Sequence, residues 1–268
     1  MITAAHHRED NALRLARTSP HDVLAGTNRC DIMARKDRLS LKRGLSLVSR
    51  SPDLPKGKGQ LVCRGAATRD RILAVAEAGV LAKGFGATSI EEVIVEAGIT
   101  KSGFFYHFRD KNELAREMLK RYVASNDQLF DEIFARGREL SDDPLQAFLV
   151  SLKLLAEVMA DLPSGHPGCL IASICYQERL YDREVRDLTA QSVRSWNARF
   201  RGIFEEIAAI HPPREPVDLD DLADMLSCVV DGGIIMSKTL GDPGRLARQV
   251  LTFRSFVKLV FAGPGRIS

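Results

Sequence analysis

Apolar positions recur along this chain at helical spacing, and no segment alternates with the period of two that a half-buried strand needs. Ile72, Leu73, Val75, Ala76, Val80, Leu81 and Phe85 trace one face of a first helix. The pattern opens it at Thr68, a good N-cap, and closes it at Gly84-Phe85-Gly86. Ile90, Val93, Ile94 and Ala97 line a second, short helix. Thr88 and Glu91 stand at capping-box spacing at its start, and Gly98 stops it. Thr100 caps a third helix that runs to about Phe105. Asp110 and Glu113 open a long one, from Lys111 to about Ala135, with Leu114, Met118, Tyr122, Leu129 and Ile133 on its apolar side.

The same rhythm continues downstream. Asp143-Pro144, an N-cap followed by Pro at the first helical position, starts a helix to about Met159. A loop spans Leu162 to Pro167, and a short helix spans Gly168 to Arg179. Asp182 caps a helix to Ile210, which His211-Pro212-Pro213 stops. Asp218 starts another to Leu240, and Asp242-Pro243 starts the last, ending near Phe261. The expected fold is all-α with about nine helices.

The 268 residues allow one large domain or two smaller ones. The 45% hydrophobic and 27% charged composition is that of a globular protein. No apolar run approaches the roughly 18 residues of a membrane span, and the first twenty residues lack a signal-peptide core. The expectation is a cytoplasmic chain without a membrane partner. Cys30, Cys63, Cys169, Cys175 and Cys228 are odd in number and irregularly spaced. They form no CxxC pair and no metal-ligand spacing, so reduced thiols and no metal or cofactor are expected.

Charge is uneven. Residues 1–66 hold 13 Lys and Arg against 6 Asp and Glu, whereas the remainder holds 25 against 29. With SRSPDLPKGKGQ near its end, the first segment reads as a basic, flexible extension suited to a polyanionic partner. Residues 67–115 hold six basic and seven acidic side chains, so there only placement can create a basic face.

Chemistry enters at Thr88-Ser-Ile-Glu-Glu-Val-Ile-Val-Glu-Ala-Gly98-Ile-Thr100-Lys-Ser-Gly103, a helix, a tight turn and a second helix, which is helix-turn-helix spacing. A major groove about 12 Å wide admits one such helix. Thr100, Lys101 and Ser102 stand where side chains reach base edges, with Gly103 allowing close backbone approach. Phe104 is placed either in the core or against a thymine methyl. Thr88, Ser89, Tyr106, His107 and Lys111 offer polar tips to phosphates. Glu91, Glu92 and Glu96 are expected to face away from DNA.

Thr68 to about Leu119, through GFGATSIEEVIVEAGITKSGFFYHF and into RDKNEL, resembles the DNA-binding domain of the TetR family of transcriptional regulators. The resemblance covers about a fifth of the chain. It implies an all-α homodimer with a three-helix N-terminal helix-turn-helix domain over 67–119 and a C-terminal helical ligand-binding and dimerisation domain over 120–268. It also implies a palindromic operator of two half-sites and release by a small-molecule effector. Members often carry Tyr where this chain has Phe105, followed by His where it has Tyr106.

Pro167-Gly-Cys-Leu-Ile-Ala-Ser-Ile resembles a segment of a TetR group in which some members sense electrophiles or oxidants through Cys, and Cys169 is the matching position. In the first turn of a helix its thiol pKa would be lowered by the dipole. The competing switch is an apolar or aromatic effector in a pocket lined by Phe130, Phe134, Phe148, Leu152, Met159, Ile174, Tyr176, Trp196 and Phe200, each of which also reads as plain core. Gly232 and Gly233 inside an apolar helix suggest a close helix contact. Leu226, Val229, Val230, Gly233, Ile234, Phe253, Phe256 and Val257 are the expected dimer face. A helical enzyme has no support: there is no HExxH, di-iron spacing, phosphate loop or Ser/His/Asp set. A DNA-binding adaptor without a small-molecule switch is the remaining alternative.

Overall fold

The computed structural model describes residues 58–162 and 164–261. Among them it is helical throughout, with α1 (Lys58–Lys83), α2 (Ile90–Glu96), α3 (Lys101–His107), α4 (Lys111–Leu140), α5 (Pro144–Ala160), α6 (Leu170–Tyr176), α7 (Arg183–Ile210), α8 (Leu219–Leu240) and α9 (Arg245–Phe261). A 3-10 turn, Glu178–Leu180, follows α6. No helix among the described residues is long and apolar enough to cross a membrane.

The caps explain most of these boundaries. Asp110 accepts from the Glu113 N–H at 2.8 Å, and Glu113 reaches back to the Arg109 N–H at 2.7 Å. Asp143, Asp182 and Asp218 cap α5, α7 and α8 in the same way. Two expected caps are corrected. The helix does not begin at Thr68 but runs back to Lys58, so residues 58–66 are helical rather than linker. Ser89, not Thr88, caps α2, because its hydroxyl accepts from the Glu92 N–H at 3.1 Å while Thr88 donates to the Gly84 carbonyl at 2.9 Å. The basic extension before residue 58 lies outside the described residues.

Two apolar clusters organise the packing. One gathers α1 to α3 and the start of α4 around Ile72, Val80, Val93, Phe104, Phe108 and Met118, and also takes Leu170, Ile174, Tyr181 and Val185 from α6 and its surroundings. The other fills the space between the rest of α4 and α5, α7, α8 and α9. α4 runs unbroken past the boundary expected at 119, with Tyr122 in the first cluster and Ile133 in the second. Cys169 and Trp196 pack against both.

Candidate DNA-reading site and regulatory core

Two rings anchor α3. Phe104 is 0% exposed and Phe108 is equally buried, their centroids 5.8 Å apart. At the helix start Thr100 Oγ1 accepts from the Gly103 N–H at 3.1 Å and bonds the Ser102 hydroxyl at 3.1 Å. A Cβ on Gly103 would stand 3.2 Å from that Thr100 oxygen, so the absence of a side chain keeps the cap close. With the Phe104 face held inside, Lys101, Ser102, Phe105 and Tyr106 share the opposite, exposed face. Lys101 forms no ion pair with a described residue, and Tyr106 is 83% exposed, its ring edge-on to His107 at 5.0 Å. Burial, then the charge of Arg69, lowers the His107 pKa, so a neutral imidazole stands there at neutral pH.

Three residues expected at the DNA surface are engaged within the protein itself. Thr88 is buried against Gly79 and Gly84, and Phe104 is core, which removes it from contact with a thymine methyl. Lys111 is turned inward: its ammonium donates to the Phe85 carbonyl at 2.6 Å and lies 4.2 Å from the centre of that ring. Phe105 was missed, although its i+4 relation to Lys101 marks it as outward once Phe104 is core. On α2, Glu92 is ion-paired with Lys83, while Glu91 and Glu96 are exposed.

In the C-terminal half most of the expected aromatic residues meet. Phe130 and Phe134 stack at 6.0 Å, and Phe200 stands edge-on to both, at 5.4 and 6.1 Å. Trp196 is edge-on to Phe130 at 6.3 Å, Phe148 tilts against Phe134 at 6.0 Å, and Leu152 and Met159 lie in the same cluster. A cavity of about 140 Å³ adjoins Phe134 and Phe148, with Ser151 and Ile203 beside them and Arg138, Ser141, Asp142 and Glu206 at its polar edge. Ile174 belongs instead to the cluster around α1 to α3, and Tyr176 is 78% exposed, so neither joins this group.

Cys169 is the N-cap of α6 rather than a residue of its first turn; its sulfur accepts from the Ala172 N–H at 3.5 Å. Burial, then the neighbouring Asp231 carboxyl, pushes the thiol up to about 11, against the lowering expected from the dipole. Burial also raises the Asp231 pKa.

The dimer expectation is corrected residue by residue. Leu226, Ile234, Phe253 and Val257 are buried in the protomer's own core. Val229 and Val230 pack partly against it. Gly233 faces α9 of its own protomer, where a Cβ would meet Leu246 Cδ1 at 2.8 Å. Gly232 has open space instead. The exposed large apolar side chains of these helices are Met225, Ile235, Met236 and Leu240 on α8 and Leu251, Phe256 and Leu259 on α9. Of the expected residues, only Phe256 is among them.

The sequence pattern of the bacterial regulatory proteins of the tetR family matches residues 72–118, which hold the C-terminal part of α1, all of α2 and α3, and the start of α4. The chain belongs to the TetR family. It is 27% identical over 180 residues to the uncharacterised HTH-type transcriptional regulator YxaF of Bacillus subtilis, covering 65% of this chain and 87% of that one. It is 30% identical over 81 residues to the HTH-type transcriptional repressor NemR of Escherichia coli, covering 30% and 41%. The crystal structure of reduced NemR shares its fold, with a TM-score of 0.60 and 20% identity over 74% of this chain and all of the other. This TetR-family chain is thus a DNA-binding transcriptional regulator, helical in its described residues. Its relatives are regulators rather than enzymes.

Proposed function

We propose that this regulator is a repressor that binds a palindromic operator as a homodimer and is released by a small apolar or aromatic effector held in its C-terminal half. The observation that carries the reading is the exposed Lys101-Ser102-Phe105-Tyr106 face, held outward by the buried Phe104 and Phe108. Ser89, Thr100, Gly103 and His107 flank it, and Lys101 meets phosphate or a guanine edge. The DNA-reading unit extends through the start of α4, with the remainder regulatory. Pairing of protomers is supported by the exposed apolar side chains of α8 and α9. NemR's description as a repressor supports the sign of regulation.

The aromatic cluster and its adjoining cavity support a reversibly bound effector. The cavity, about 140 Å³ with Phe134, Phe148 and Ile203 on one side and Arg138, Asp142 and Glu206 at its edge, has room for a small ring or a branched alkyl group. Electrophile sensing at Cys169 is the weaker reading, because the thiolate is the reactive form and both burial and Asp231 oppose it.

The test is a gel-shift titration at fixed salt with DNA selected by the protein from a random duplex pool. Lys101→Ala should weaken binding, uniformly across sequences for a phosphate contact or by about 1–3 kcal/mol at one position for a guanine contact. Unchanged binding by a normally folded variant rules the assignment out. Footprinting then separates a switch, with one or two palindromes, from an adaptor with many dispersed sites.

A further inference from the structure

The segment from Gln177 to Asp182 joins α6 to α7, yet it grips the DNA-reading half at four points. The Gly86 N–H donates to Gln177 Oε1 at 3.3 Å. The Tyr181 ring stacks on Phe85 with centroids 4.2 Å apart. Leu180 Cδ1 lies 3.0 Å from where a Cβ on Gly86 would stand. Arg116, in the second turn of α4, donates to Asp182 at 2.5 Å.

Three of these contacts converge on the turn 84–86, which leads from α1 into α2. The turn is shaped for its partner. Gly84 adopts φ +86°, a backbone region costly for any residue with a Cβ, and a Cβ there would also collide with the Gln177 amide. From the turn, the Thr88 hydroxyl returns to the Gly84 carbonyl, and Ser89 starts α2. A shift of residues 84–86 is therefore passed to α2 and, through the shared core, to α3. The C-terminal half meets the core that holds α3 through the continuous helix α4, through Leu170 and Ile174 of α6, and through this clamp. Within the clamp the stacked rings and Leu180 supply non-directional burial, and the Tyr181 hydroxyl has no partner among the described residues. Directional restraint on the turn comes from Gln177.

We propose that Gln177 is a positioning residue for operator binding, its side-chain amide locking the α1–α2 turn to the regulatory half and so setting the separation of the two DNA-reading helices in the dimer. The inference rests on the dimeric reading above. Two half-sites about one helical turn apart tolerate little error in that separation. Losing one net hydrogen bond changes the preference for the correct geometry by about three- to tenfold.

The experiment uses the full chain and the duplex that the wild type selects from a random pool, remade with half-site spacings longer and shorter by one and two base pairs. The wild type should prefer one spacing. Gln177→Ala should lower the ratio of best to next-best affinity by about threefold or more, with melting temperature and dimer mass retained. Gln177→Glu keeps an acceptor for the Gly86 N–H and should restore the ratio. An unchanged ratio in the alanine variant, or a glutamate variant as deficient as alanine, overturns the proposal. Hydrogen exchange at the Gly86 amide is the second measurement: it should be protected in the wild type and in Gln177→Glu, and rapid exchange in the wild type overturns the proposal even if the alanine variant does not fold. A wild type indifferent to spacing refutes the two-half-site reading instead, and faster exchange at Gly86 in Gln177→Ala than in wild type then still decides the clamp.

Discussion

Lys101 and Phe104 sit three residues apart on the same short helix and do opposite jobs. One is exposed, and the other is wholly buried. At this scale the environment, not the residue type, assigns the role, and two consequences are measurable. Cys169 is the half-buried thiol held protonated by burial and Asp231, whereas Cys175 and Cys228 are exposed. Timed alkylation at pH 8 followed by peptide mapping should label Cys175 and Cys228 before Cys169; early labelling of Cys169 would revive the electrophile-sensor reading. Asp231 has its pKa raised by burial, so protonation is more favourable in the native state than in the unfolded chain. The stability this gives is fully present below the unfolded value, near 3.9, and is lost as pH rises through the higher folded value. Asp231→Asn should therefore raise the melting temperature at pH 7–8 and do little below pH 4. An equal gain at both would show that ionisation is not the cause.

At the scale of elements, a helix with two apolar faces has to divide them between its own core and a partner. α8 shows the division. Gly233 takes the close contact with Leu246 of α9 inside the protomer, while Ile235 and Met236, two and three residues on, face outward. Gly233→Ala should destabilise the folded chain by about 1–3 kcal/mol through overpacking, because the nearest atoms include the Leu246 backbone as well as its side chain. Ile235→Glu should leave the protomer's melting nearly intact and yield monomers by light scattering. A dimer of normal mass would place the interface off this face. α3 depends in turn on its cap, and Thr100→Ala should cost about 1 kcal/mol, since the Gly103 N–H loses its acceptor.

For the whole molecule, the proposed release requires that an effector in one half alter DNA contact by the other. A ligand shifts the equilibrium only by its differential affinity for the two states. α4 is the continuous path, entering the DNA-reading core at Leu114 and Met118 and reaching the aromatic cluster at Phe130 and Phe134. Charge is a second whole-chain property. Residues 1–57 hold eleven Lys and Arg against six Asp and Glu. Their removal should reduce the dependence of log affinity on log salt, because fewer counterions are released. An unaltered slope would show that the extension does not touch DNA.

The sequence by itself determined the helical elements, most of their ends and the DNA-reading motif. These rest on local chemistry: a period near 3.6, Asp, Ser and Thr caps, and glycines at Gly84, Gly98 and Gly241 where φ is positive. Its error at Thr88 was also local, a choice between neighbouring cap formers, whereas at Thr68 a competent cap former stands inside a helix that begins ten residues earlier. Tertiary structure decided which side of each apolar helix meets which neighbour. Leu226 and Met225 adjoin in sequence, yet one is buried in the protomer and the other is outward, because α9 lies on one side of α8 only. Tertiary structure alone also brought Asp231 to Cys169, turned Lys111 onto Phe85 and set Gln177 against Gly86. Each pairing spans residues distant in sequence, and a helical period records which positions share a face but not what that face will touch.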